Sequence, residues 1–176
     1  MDLRLAQPGD ELAVADVHVR SWQEAYAGLL PASVLDGLDS AQRAGRYTFG
    51  AKDRETVLAV EDGRVCGFAT SGAARDSDAA GWGELMAIYL DPACLGRGLG
   101  RALIADARTR LAARRFTEAV LWVLVGNERA MRFYELDGWR CDGSQRRIEI
   151  QGVMVDEIRY RRPLAVSPHQ PDVAIR

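Results

Sequence analysis

The run Ala119-Val-Leu-Trp-Val-Leu-Val125 limits what this chain can fold into more than any other stretch. It has no polar face, so as a strand it must be covered on both sides. It is too short to cross a bilayer, which takes about 18 apolar residues in a helix. Such a strand needs helices above and below its sheet. Before it, Leu99, Leu103, Ala107 and Leu111 fall on one stripe at four-residue steps. After it, Asn127–Asp137 reads as a short helix that buries Ala130, Phe133 and Tyr134, with Gly138 suited to a left-handed cap.

The remaining pattern fills in the layers. Residues 2–7 alternate as a short strand, ended by Pro8-Gly9-Asp10, with Asp10 as a helix N-cap. Leu12, Ala15, Val19, Trp22 and Tyr26 form one helical stripe that stops at Gly28 and Pro31. A second helix is expected over 32–47, with Val34, Leu35 and Leu38 as its apolar side. Thr56–Val60 and Val65–Ser71 flank Glu61-Asp62-Gly63-Arg64, a hairpin signal because both turn positions favour positive φ. Residues 72–81 are small and polar and read as a flexible loop. Trp82–Leu90 is the next strand, and Trp139–Pro163 gives two more joined by a loop. The order is β-α-α-β-β-β-α-β-α-β-β. It predicts an α/β (α+β) three-layer sandwich, a mixed central sheet of six to seven strands with about four helices. At 176 residues, without repeats or linkers, residues 1–164 read as one domain. Residues 165–176 hold two prolines and no apolar period, and read as a flexible tail.

Composition excludes several functions. Arginine supplies 22 of the 23 basic residues, Lys52 being the one lysine, yet the arginines are dispersed among 25 acids and the net charge is −2. That pattern fits the codon usage of a GC-rich bacterial genome, not a nucleic-acid surface. Met-Asp-Leu-Arg-Leu lacks the layout of a signal peptide, and no segment is long and apolar enough to span a membrane. A cytoplasmic protein is expected. Cys66, Cys94 and Cys141 form neither a disulfide framework nor a zinc pattern. With only His18 and His169 beside them, no metal site is expected.

The sharpest chemical feature is Leu95-Gly-Arg-Gly-Leu-Gly-Arg-Ala102, between a strand and a helix. Glycines there let backbone amides point outward at a helix N-terminus, a site suited to a pyrophosphate. A tight turn alone would explain the same glycines. The spacing is not the dinucleotide fingerprint, and no Walker lysine follows. The surroundings are more specific. Glu84-Leu-Met-Ala-Ile-Tyr-Leu-Asp-Pro92 followed by Gly96-Arg-Gly-Leu-Gly-Arg-Ala-Leu103 resembles motif A of the GNAT superfamily of acyl-CoA-dependent N-acetyltransferases. Asn127-Glu-Arg-Ala-Met-Arg-Phe133-Tyr134-Glu-Leu-Asp-Gly138-Trp139 resembles motif B, and the element order fits that fold over residues 2–163.

The resemblance implies an enzyme that moves acetyl from acetyl-CoA to a primary amine, by direct attack in a ternary complex. The backbone of Ile88, Tyr89 and Leu90 would pair with the pantetheine arm. The amides of Gly96, Arg97, Gly98, Leu99, Gly100 and Arg101 would hold the pyrophosphate. Asn127 would contact the lower pantetheine arm, and Tyr134 would sit by the thioester sulfur. The chemistry supports these roles: oxyanion charge needs an amide donor, and a leaving thiolate needs an acid that a phenol can be. Plainer readings stand beside them, since Tyr134 also packs with Phe133 and Asn127 is a natural N-cap.

Two positions depart from the family pattern. Leu95 stands where Gln or Arg is frequent, which leaves the phosphate grip to amides. Trp122 stands where some members carry a glutamate base. Glu84 is then the candidate base, placed by alternation on the face of Met86 and Ile88, with a water relay as its competitor. Trp22 and Tyr26, four apart on one helix face, are candidate acceptor-binding residues, against core packing. His18 reads as structural, and Arg146-Arg147 as a solvated loop pair. The resemblance implies a small-molecule or peptide amine as the acceptor. A non-catalytic acyl-CoA-binding module and a nucleotide-phosphate binder are the competing functions. Ile158 and Tyr160 on one face of Val153–Arg162 suggest an edge strand that could pair a homodimer.

Overall fold

In the computed structural model, which describes residues 1–165, seven strands form one sheet ordered β1-β2-β3-β4-β5-β7-β6. The strands are β1 (Asp2–Leu5), β2 (Arg54–Glu61), β3 (Arg64–Ala73), β4 (Gly83–Leu90), β5 (Glu118–Leu124), β6 (Arg140–Ile150) and β7 (Val153–Pro163). The helices are α1 (Glu11–Ala25), α2 (Ala32–Asp36), α3 (Ser40–Ala44), α4 (Leu99–Ala113) and α5 (Glu128–Leu136), with 3₁₀ turns at Ser77–Ala79 and Pro92–Cys94. All pairings are antiparallel except β4–β5, which α4 joins as a crossover.

The sheet has a core on each face. On one, Leu99, Leu103, Ile104, Ala107 and Leu111 of α4 meet Leu85, Leu121, Val123 and Tyr160, and Tyr134 and Trp139 join them. On the other, Val14 and Val17 of α1 close over Leu58 and Phe68. The apolar run on β5 is thus covered as its composition demands: Ala119, Val120 and Leu121 are buried. The β2–β3 hairpin turns on Asp62 (φ 49°) and Gly63 (φ 76°), as Asp-Gly predicts.

Several expectations are corrected. The stretch 32–47 is two short helices, so there are five helices among the described residues, not four. Gly37 ends the first. Asp39 is extended (φ −122°) and its carboxylate caps the second by accepting from the Gln42 amide at 2.6 Å. Asp10 has helical dihedrals and makes no side-chain cap. Its carboxylate instead takes a two-pronged 2.7 Å contact from Arg4 and the Gln7 amide at 2.9 Å, which ties β1 to the turn.

Residues 72–81 are not a free loop. β3 runs on to Ala73, Ala79 is fully buried, and Asp78 is held by Arg159. β7 is not an edge strand either. The tight Gln151-Gly152 turn folds it back between β5 and β6, so β6 takes the edge and the argument for a dimer through β7 falls. The expected flexible tail, beyond Ala165, lies outside the described residues.

Candidate active site

Two irregularities of β4 open the site. The register with β3 passes from Ala87↔Thr70 to Leu85↔Ser71, so Met86 has no partner and bulges. The parallel pairing with β5 stops after Glu84↔Val120, and the two strands part beyond it. The gap is a cleft of about 250 Å³. Ser21, Glu24 and Ala25 of α1 and Tyr26 at its C-cap line one side, β4 from Glu84 to Leu90 and Trp122–Leu124 of β5 form its walls, and Asn127, Ala130, Phe133 and Tyr134 close the α5 side. Arg75, Arg146 and Glu157 complete the α1 side.

The bulge corrects the expected alternation. Leu85, Ile88 and Leu90 pack toward α4, whereas Ala87 and Tyr89 pack toward α1. Glu84, opposite Gly72 and one residue from Leu85, therefore shares a face with Ala87 and Tyr89, not with Ile88. The extra residue at Met86 reverses the parity that a regular strand would keep.

The glycine turn serves two purposes. Gly96 and Gly98 have φ near +80°, and a Cβ there would touch nothing within 4 Å, so these positions need left-handed backbone and face open space. Gly100 is helical and buried, and a Cβ there would come within 3.2 Å of Leu90 and 3.4 Å of Phe133. It lets α4 approach the strand end. Leu99 is buried in the core. Arg97 turns its side chain to Glu61 at 3.0 Å, and Arg101 makes no side-chain ion pair among the described residues. Beneath the turn, Asp91 is buried and caps Ala93 at 3.0 Å. Burial opposes its charge, but the Ala93 amide and Arg64 and Arg20 hold its carboxyl below the usual range.

Asn127 caps α5, its Oδ1 accepting from the Ala130 amide at 3.2 Å, and it also lines the cleft, with its amide nitrogen left for another partner. Tyr134 is buried on α5, and its hydroxyl donates to no described residue. Burial, reinforced by Tyr89, pushes its phenol well above the ordinary value, so it stays protonated.

Glu84 is 2 % exposed and fully engaged. Arg75 gives its Oε1 one hydrogen bond at 2.5 Å and its Oε2 two, at 3.0 and 3.1 Å. Tyr26 lines the cleft, whereas Trp22 does not. Trp22 lies behind Tyr26, edge to face at 5.0 Å, with His18 at 4.9 Å and the Arg43 guanidinium at 5.3 Å. His18 is buried. Arg43 donates to its Nε2 at 2.8 Å, so its Nδ1 carries the proton and donates to the Tyr47 hydroxyl at 2.6 Å. Burial first, then Arg43, pull its pKa down to about 3.

Arg146 and Arg147 lie on β6, not in a loop; both are paired, and Arg147 is exposed to solvent as expected whereas Arg146 is half-buried. Arg147 contacts Asp156 at 2.8 Å. Arg146 stacks 4.1 Å over Trp122 and donates to Glu157 at 2.7 Å. Trp122 is itself anchored, its indole nitrogen donating to Asp76 at 2.7 Å. Glu24, Arg75 and Glu157 are cleft residues that sequence reasoning missed. The single signal for Glu157 was a charge that continues the alternation of Val153 and Val155.

Residues 19–139 match the acetyltransferase (GNAT) family model. An uncharacterized N-acetyltransferase, YuaI, of Bacillus subtilis is 30 % identical over 89 % of both chains. A GCN5-related N-acetyltransferase from Rhodopseudomonas palustris superposes with TM-score 0.71 at 19 % identity, covering 93 % of this chain and 95 % of that one. The PaiA N-acetyltransferase of Thermoplasma acidophilum, solved with coenzyme A, gives 0.65 at 18 % identity over 89 % and 98 %. The split strand pair, the glycine turn and these matches together make the chain a member of the GNAT acetyltransferase family and an acyltransferase.

Proposed function

We propose that this enzyme transfers the acetyl group of acetyl-CoA to a primary amine, with both substrates bound together. The observation that carries the reading is the opening of β4 from β5 at the Met86 bulge, which joins the two faces of the sheet. The α4–α5 side supplies what a thioester substrate needs. Ile88–Leu90 pair with β3 but have no partner on the β5 side, which suits an extended pantetheine arm, and the amides of Gly96–Arg101, in a turn that faces open space at Gly96 and Gly98, suit a pyrophosphate. The coenzyme A bound to the Thermoplasma relative supports the same choice of ligand. The α1 side is left for the amine.

The chain's own groups then divide the work. A β4 amide beside the bulge steadies the negative charge that gathers on the thioester oxygen, where a preorganised donor contributes most. Asn127, with its Oδ1 committed to the cap, keeps its amide N–H groups for the arm. Tyr134, protonated across the physiological range, gives its proton to the departing sulfur.

The test is calorimetric titration with acetyl-CoA, with desulfo-CoA and ATP as controls, followed by free-thiol release with a panel of amines. Binding of acetyl-CoA but not ATP is expected. Tyr134→Phe is expected to keep that affinity and lose about 100-fold in kcat. Folded protein that binds no acetyl-CoA would sink the proposal.

A further inference from the structure

We infer that Glu157 on β7 is the proton acceptor for the incoming amine, received as an ammonium ion at its free carboxylate oxygen. This rests on the acetyl-transfer reading above and adds the residue that prepares the nucleophile.

Two carboxylates reach the cleft from the sheet on its α1 face, and their bonding separates them. Both oxygens of Glu84 are taken by Arg75, and its side chain is 2 % exposed. A carboxylate whose two oxygens are held by three hydrogen bonds from one arginine must break one of them to receive a proton. Glu157 accepts through Oε2 alone, from Arg146 at 2.7 Å, and its side chain is 14 % exposed. Nothing among the described residues donates to its Oε1. It lines the same cleft as Tyr26 and Tyr134.

The site around it is built. Arg146 fixes Oε2, Trp122 carries Arg146 on its face at 4.1 Å, and Asp76 fixes Trp122 through its indole nitrogen. Trp122 therefore supports, from β5, a carboxylate one strand over, where Glu157 pairs in register with Leu124. Arginine stacked on an aromatic face keeps its fork in a fixed plane, so the free oxygen has a defined direction.

The steps balance. The ammonium proton passes to Glu157 Oε1. The freed nitrogen lone pair forms the N–C bond, the C–S bond breaks, and the sulfur takes the Tyr134 proton. The second nitrogen proton restores Tyr134, and Glu157 releases its own to water. The net reaction is ammonium plus thioester to amide, thiol and one proton.

The experiment compares wild type and Glu157→Gln with two nucleophiles near neutral pH. Tyramine is protonated there and needs a proton acceptor, whereas hydroxylamine is neutral and does not. Acetyl-CoA affinity, read by calorimetry, is expected to stay within about twofold. Glu157→Gln is expected to lose about 100-fold in kcat/KM with tyramine and less than about fivefold with hydroxylamine. Glu157→Asp, which keeps an ionised partner for Arg146, serves if the glutamine variant fails to fold, with the same split between nucleophiles expected. Equal losses with both nucleophiles, or no loss with tyramine, would overturn the assignment while leaving acetyl transfer intact. A wild type that accelerates neither reaction would overturn the acetyl-transfer reading itself, and this inference with it.

Discussion

His18 makes stability depend on pH in a window where few other groups act. Its folded pKa is about 3 because it is buried and faces Arg43, while an unfolded histidine titrates near 6.5. Below 6.5 the unfolded chain takes up a proton that the folded one refuses. Stability is therefore fully present above that value and falls as pH drops toward 3. At pH 5 the unfolded state gains about 1.5 pKa units of protonation, or about 2 kcal/mol at about 1.4 kcal/mol per unit. With a urea slope of about 2 kcal/mol per molar, the midpoint should move down by about 1 M between pH 7.5 and 5. Asp10, Asp91 and Asp142 are held low by their partners and titrate beneath this window. His18→Phe keeps a ring against Trp22, Tyr89 and Phe68 but cannot titrate. The variant should start less stable and lose none of that margin. His169 is common to both chains and cancels in the difference. Urea unfolding across the window settles it: parallel midpoint curves for wild type and variant would refute the buried, neutral histidine.

Two further perturbations follow from backbone geometry. Gly98→Ala places a side chain at φ +81°, and should cost about 1–2 kcal/mol of stability and weaken acetyl-CoA binding, read by thermal melting and calorimetry. Gly67→Ala would set a Cβ 2.3 Å from Leu90 Cδ2 and 2.9 Å from the Tyr89 carbonyl, so β4 must shift where the pantetheine arm is expected. It should cost about 1–3 kcal/mol and raise the KM for acetyl-CoA, and an unchanged melting temperature would show that the strand has room to give.

What could be read in the sequence was what local chemistry dictates. The β5 run announced a two-faced strand, Asp62-Gly63 announced a hairpin, and Asn127 and Gly138 marked both ends of α5. The short helices failed because Gly37 and the Asp39 cap interrupt a stripe that apolar spacing alone would continue. The facing of Glu84 failed for a different reason. A bulge is one unpaired residue seen against a partner strand, and nothing in Leu85-Met86-Ala87 signals it. The same blindness hid β7. Chain order puts it last, whereas the hairpin with β6 places it inside the sheet.

These failures share a cause that bears on the site. Pairing between distant segments decides which carboxylate can act. Glu84 lies in the motif that identifies the family, yet Arg75, nine residues upstream, takes both its oxygens. Glu157 lies outside both motifs and is set into the cleft by Arg146 from β6, through a tryptophan from β5. An ion pair contributes little by itself when exposed, but here it orients a group, and orientation is what proton transfer requires. Under the proposal, Trp122 on β5 serves the base without being one. The indole supplies the surface over which Arg146 stacks, and Arg146 occupies one oxygen of Glu157 while no described residue donates to the other, the oxygen proposed to receive the amine's proton.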